Sequence, residues 1–339
     1  MFDDYGLKYP DLVKEILLFF SFDRKGITKV TLNGKRSVFD FCVHTGIKNG
    51  TGTEFKYNTS IINKICQRLV DLNVLVETHK EIIQMGPDLG ACHYYITNLE
   101  TKNITSPQLL LYINSQIFGF EYIYNYYKGI IKPLVSEING KLVMGTAFEF
   151  FGGIFTAKHC IENNCNIMIQ GYSGNDLNKP KVYIHKNPKI DVAFIDLKKE
   201  NSNIYGIEEG KVLQEVIVMG YPKVPTFHDF LTVEKANISS IKSRNTTING
   251  NIVGCGTQYL SNSEKILISA KVAPGNSGSP VVNSNGAIVG MVSENVESQD
   301  AYDFVGYGVC ETSKIMLEIV INKNNILNNS CYNFMDWKY

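Results

Sequence analysis

The sequence predicts a multidomain α+β chain: a small N-terminal domain of helices ending in a two-stranded hairpin, then a larger all-β domain. Three observations carry this. Apolar residues recur at steps of three and four in the first 72 positions, the period of a helix with one buried face. From about residue 142, runs of five to eight strand-forming residues alternate with Gly, Asn and Pro turns, which reads as a sandwich or barrels. Between them Ser106-Pro107 opens a connecting helix, with an N-cap followed by proline at the first helical position. The expected domains are 1–98, a connector over 99–128, and 129–339.

In the first domain Leu12, Val13, Ile16, Leu17 and Phe20 mark one helix. Thr59 and Ser60 are N-cap candidates for the next, whose apolar stripe runs from Ile61 and Ile62 through Ile65, Cys66 and Leu69 to Val70 and Leu72. Val74–Glu77 reads as a strand, Met85–Gly90 as turn chemistry and Cys92–Thr97 as the returning strand. Helix, strand, turn and strand over 60–97 resemble the recognition helix and wing of a winged helix-turn-helix domain. That resemblance raises DNA binding as a question. Residues 1–100 carry 12 Lys+Arg and 12 Asp+Glu, and DNA readers usually carry a basic footprint. Contact with a protein regulator, or self-association, is the expected use of this domain, ahead of DNA.

The whole chain has 339 residues, 44% of them hydrophobic, with 33 basic against 33 acidic side chains. Balanced charge argues against bulk coating of nucleic acid or a polybasic membrane patch. The apolar run at 16–20 follows Asp3, Asp4 and Asp11 and is too short for a membrane span or an export signal. A cytoplasmic protein with no membrane contact is therefore expected, its eight cysteines reduced. Cys42 with His44 and Cys92 with His93 match no zinc module, so neither metal nor cofactor is expected.

Strands are expected at 142–150, 154–157, 166–170, 181–185, 191–197, 215–219, 265–270, 279–282 and 287–293. A last helix starts at Thr312 or Ser313. After about 323 the chain is Asn-rich and reads as a tail.

Three motifs carry chemistry. The segment Pro274-Gly275-Asn276-Ser277-Gly278-Ser279-Pro280 has glycines where a tight, left-handed backbone path would expose a serine hydroxyl beside inward N–H groups. Thr156-Ala157-Lys158-His159-Cys160 follows Gly145-Thr146-Ala147-Phe148, and Asp191-Val192-Ala193-Phe194-Ile195 opens a strand. These resemble the serine, histidine and aspartate motifs of trypsin/chymotrypsin-like serine proteases, and the serine loop most resembles the HtrA-type branch. His, Asp, Ser is the chain order of that fold, with separations of 32 and 86 residues (191 − 159 and 277 − 191). The resemblance covers residues 130–322.

It implies an all-β double-barrel, trypsin-like protease domain and a serine endopeptidase with protein or peptide substrates. Ser277 would be nucleophile, His159 general base and Asp191 the orienting acid, with Asp196 the competing assignment. Gly275 and Ser277 would supply the oxyanion hole. Ser293, Glu294 and Asn295 would pair with substrate, Gly308 would wall the primary pocket, and Lys271 at its base would favour an acidic side chain. Asn276 replaces the aspartate that pairs with a freshly cut N-terminus in trypsins, so activation by N-terminal cleavage is not expected. Regulation through the N-terminal domain is expected instead. The resemblance further points to stand-alone intracellular proteases of bacteria. His44, His79, His93, His185 and His228 have no catalytic context in the sequence.

Overall fold

The structure, a computed structural model, describes residues 3–21, 36–46, 55–85, 88–97, 99–177, 180–199, 206–222, 246–258, 263–270, 272, 274–295, 308–328, 330 and 332–338. The chain divides into two compact units, Met1–Tyr122 and Ile123–Tyr339.

The first unit contains α1 (Asp3–Lys8), α2 (Leu12–Phe19), α3 (Val38–Thr45), α4 (Thr59–Asp71), β1 (Leu75–Met85), β2 (Asp88–Thr97) and α5 (Thr101–Ile104). Helix α3 starts at a reciprocal cap: the Ser37 hydroxyl accepts from the Asp40 N–H, and the Asp40 carboxylate accepts from the Ser37 N–H. For α4 the cap is Asn58, one residue before the expected candidates, its side chain accepting from Ser60 and Ile61 N–H. Ile62, Ile65, Cys66 and Leu69 of α4 pack with Leu12, Ile16 and Leu17 of α2 and with Phe41 of α3. The hairpin is longer than expected. Strands β1 and β2 pair antiparallel from Leu75↔Thr97 to Met85↔Asp88.

Helix α6 (Pro107–Tyr127) is broken at Gly119, where φ is 68°, a left-handed value that glycine adopts without a side-chain clash.

The second unit holds two β structures. The first has β3 (Ile131–Ile138), β4 (Lys141–Phe150), β5 (Gly153–Thr156), β6 (Asn164–Ile169), β7 (Lys181–Ile184) and β8 (Ala193–Asp196). The second has β9 (Gly206–Ile207), β10 (Glu215–Gly220), β11 (Thr246–Gln258), β12 (Ser263–Ile268), β13 (Pro280–Asn283), β14 (Ala287–Asn295) and β15 (Gly308–Thr312). Helix α7 (Ser313–Asn322), capped by the Thr312 hydroxyl, follows.

The second sheet runs β13-β10-β11-β12-β15-β14-β9, and β13 also pairs with β14. Six strands thus form a closed ring, which removes sheet edges. Val216, Val218, Ile252, Ile266, Val281 and Val289 fill it.

The first sheet continues past α7. The expected tail instead forms β16 (Asn325–Ile326) and β17 (Tyr332–Phe334), which occupy the two ends of the order β16-β7-β8-β5-β4-β3-β6-β17. Leu327, 4% exposed, enters the core beside Val182 of β7 and Ile167 of β6. Opposite ends of the strand order share that core, so the sheet curls around it. The Asn-rich composition hid three anchors: Leu327, Tyr332 and Phe334.

Candidate active site

His159 lies in a single 3-10 turn, Lys158–Cys160, directly after β5. Three side-chain bonds hold that turn. Asn164 donates to the His159 carbonyl at 3.1 Å and to the Ser136 hydroxyl at 2.9 Å. The Lys158 ammonium donates to the Pro188 carbonyl, fastening the turn to the loop that leads into Asp191.

Asp191 sits just before β8, nearly buried. One carboxylate oxygen accepts the His159 backbone N–H at 2.9 Å and the other faces His159 Nδ1 at 2.6 Å. The imidazole is 51% exposed and the carboxylate 12%, so Nδ1 is fixed from the protein side while the ring stays reachable. Burial acts to lower the imidazole pKa, but the hydrogen bonds to Asp191 and Cys160 outweigh it and the pKa is raised. Asp196, the competing assignment, pairs instead with Lys323 at 2.8 Å.

Ser277 occupies the loop entering β13. Gly275 and Gly278 have φ of 100° and 89°, a path that an L side chain would strain. A Cβ on Gly278 would lie 2.0 Å from the Thr146 carbonyl oxygen, 2.7 Å from the Thr156 hydroxyl and 3.1 Å from Ala157 N. The serine loop is therefore pressed onto the end of β5 and Ala157, just before the His159 turn. Thr146 is the clamp. Its N–H donates to the Ser277 carbonyl at 2.9 Å, and its hydroxyl donates to the Gly275 carbonyl at 2.8 Å and accepts from Tyr221 N–H at 2.9 Å. Among the described residues neither the Gly275 nor the Ser277 N–H has an acceptor. The sequence placed Thr146 in a motif but gave it no role. The signal would have been a hydroxyl within the apolar run 142–148.

Asn276 and Ser279 are fully buried, and the Asn276 amide and Ser279 hydroxyl have no partner among the described residues. Gly220 makes room for them: a Cβ there would meet Ser279 Oγ at 1.9 Å and Asn276 Oδ1 at 3.0 Å.

Of the expected substrate residues, Ser293 is buried and its hydroxyl donates to the Val309 carbonyl at 3.2 Å. Residues 293–295 end β14. On one side they pair with β15, down to Asn295↔Gly308. On the other side, pairing with the β13 segment stops at Val292, bonded to Gly278 N–H and Ser279 O. Glu294 and Asn295 thus continue a strand with a side unoccupied among the described residues. Gly308 opens β15, and a Cβ there would meet Ile268 and Val272. Lys271 lies outside the described residues.

The described residues contain no group of three or more His, Cys, Asp and Glu able to hold a metal. Cys42, Cys66, Cys92, Cys160, Cys165 and Cys310 are unpaired. No helix among the described residues is long and apolar enough to cross a membrane.

Residues 145–291 match the family described as trypsin-like peptidase domain. That match takes in a little under half of the chain. A curated relative, the probable periplasmic serine endoprotease DegP-like of Chlamydia pneumoniae, is 26% identical over 204 residues, covering 58% of this chain and 37% of its own length. The chain therefore spans little over a third of that relative. Its name gives it a periplasmic location, unlike the cytoplasmic one expected for this chain. Among solved structures, the active form of the Rv3671c protease of M. tuberculosis is 19% identical with a TM-score of 0.43, covering 60% of this chain and 84% of that one. The serine endoprotease of Yersinia pestis is 16% identical with a TM-score of 0.40, covering 59% and 64%.

Proposed function

We propose that the chain hydrolyses peptide bonds through an acyl-enzyme on Ser277. The observation that carries this reading is the doubly bonded His159–Asp191 pair, on a turn preceded by Thr156 and Ala157, which lie against Gly278 of the loop that bears Ser277 between two left-handed glycines. His159 takes the Ser277 proton as Oγ bonds to the scissile carbonyl carbon. Asp191 holds the imidazole in its useful tautomer and stabilises the imidazolium. The Gly275 and Ser277 N–H groups receive the developing oxyanion, each such donor contributing about 2.7–4 kcal/mol in the transition state. The C–N bond then breaks as His159 gives the proton to the leaving amine. Water, deprotonated by His159, releases the acid and restores the Ser277 hydroxyl.

The test is fluorophosphonate labelling read by mass spectrometry. Label at Ser277 that disappears in Ser277→Ala and falls steeply in His159→Ala is the expected result. Label at another residue, or none on folded protein, rejects the reading.

The open side of 293–295 supports backbone pairing with an extended substrate. The family resemblance reads Lys271 as the base of the primary pocket, which would favour Asp or Glu before the scissile bond. A peptide library without that enrichment removes the acidic preference and leaves the hydrolysis intact.

For the first domain, the order α2, α3, α4, hairpin supports a winged-helix reading. Exposed Lys64, Gln67 and Arg68 on α4 are accompanied by exposed Asp71, and β1 exposes Val76 and Ile82, the latter 74% accessible. This supports a protein partner or a second copy ahead of DNA. Partner binding there would order the peptidase loops. No shift of duplex DNA at physiological salt is expected, and removing residues 1–98 should abolish the response to a partner. Unpaired cysteines support a cytoplasmic setting, which cell fractionation checks.

A further inference from the structure

Beneath Asp191 lies a charged pair that the triad does not use. Lys265 of β12 and Glu311 of β15 are direct cross-strand partners. Glu311 is fully buried and Lys265 is 4% exposed. The Lys265 ammonium donates to Glu311 Oε1, and the same oxygen accepts the Asp191 backbone N–H at 2.8 Å. Glu311 Oε2 has no partner among the described residues.

Removing two charges from water costs much of what their attraction returns, so a buried ion pair is a poor device for stability alone. It is a good device for fixing a position, because a charged acceptor holds an N–H more strongly and at a shorter distance than a neutral one. Both Asp191 carboxylate oxygens are committed to His159. What anchors the aspartate itself is its backbone N–H, and that N–H points at Glu311. Glu311 belongs to the closed ring, whereas Asp191 and His159 sit on segments next to strands β8 and β5 of the curled sheet. The bond therefore ties the histidine–aspartate pair to the half of the unit that carries Ser277.

We propose that Glu311, held by Lys265, is a positioning residue that sets Asp191, and through it His159, at the distance from Ser277 that the reaction needs. This rests on the triad reading above. It assigns Glu311 no contact with substrate.

The experiment is saturable fluorophosphonate labelling of the full chain, separating the maximal inactivation rate from the probe's apparent affinity. In Glu311→Leu with Lys265→Met both charges and the acceptor are gone, with no unpaired charge left buried. In Glu311→Gln with Lys265→Met an acceptor for Asp191 N–H is restored without charge. In Glu311→Asp the charge stays but the carboxylate retracts by one methylene. The Leu/Met variant should label at Ser277 about 10-fold to 100-fold more slowly with unchanged apparent affinity, the scale of a misplaced reacting group. The Gln/Met variant should recover most of that rate. A Leu/Met variant as fast as wild type, or a Gln/Met variant no faster than Leu/Met, overturns the proposal. Should Leu/Met fail to fold, Glu311→Asp must be slower than Gln/Met, and the opposite order overturns it. Wild type that does not label at Ser277 rejects the triad reading itself and this role with it. Wild type that labels beside indifferent variants rejects the positioning role alone.

Discussion

In the proposed reaction His159 serves as a base only while its imidazole is neutral. Its pKa lies above the ordinary histidine value because hydrogen bonds to Asp191 and Cys160 outweigh the effect of burial. The labelling rate should therefore rise with pH through a midpoint above about 6.5. Asp191→Asn should move that midpoint down and slow the reaction on the order of ten-thousandfold, since the wrong tautomer then faces Ser277. A rate–pH profile of both proteins decides it. Thr146→Val is the second test at this scale. It leaves the Gly275 carbonyl and Tyr221 N–H without their partner, at about 1–3 kcal/mol for each buried group. Urea unfolding reads that loss, and slower labelling should accompany it. The triad candidates were legible because each sits in a short motif. Thr146 and Glu311 were not, because their partners lie 129 and 120 residues away. No local pattern reports such a contact.

Elements were legible where apolar residues repeat without interruption. Strands β4, β5, β7 and β10 fall within a residue or so of expectation at each end. Strand β3 was missed because Pro133 argues against a strand, yet Pro133 pairs opposite Thr146 and still accepts from Gln170 N–H at 3.2 Å. Strand β11 was missed because Asn249-Gly250 and two more glycines read as turns, while the ladder pairs Asn249 with Ile217 and Gly250 with Val216. Helix α3 carries its own local signal, the Ser37-x-x-Asp40 cap. Asn58→Ala should cost about 1 kcal/mol by removing the cap of α4, read as a lower thermal midpoint of the first unit. Gly278→Ala should be far worse than Thr146→Val. It places a methyl 2.0 Å from a backbone oxygen at a left-handed φ, and labelling should be lost.

At the scale of the molecule, each unit buries its own core. Residues 123–339 alone should unfold cooperatively and label at Ser277, without responding to any partner of the first unit. Calorimetry and the probe check both. Truncation after Lys323 should instead destabilise that unit by about 2–5 kcal/mol, since it empties the Leu327 site and strips β16 and β17 from the sheet ends. The division into a helical and a β region was legible from the change of period. The closing of one sheet into a ring was not, because it depends on β13 meeting β14 as well as β10.

Strands β16 and β17 give the chain a timetable. Synthesis runs from the N-terminus, so Ser277, His159 and Asp191 all leave the ribosome before residues 325–334. The sheet that carries the histidine stays unfinished, with both outer strands bare, until those residues emerge. A nascent chain can hold every reacting group and still lack the frame that aligns them.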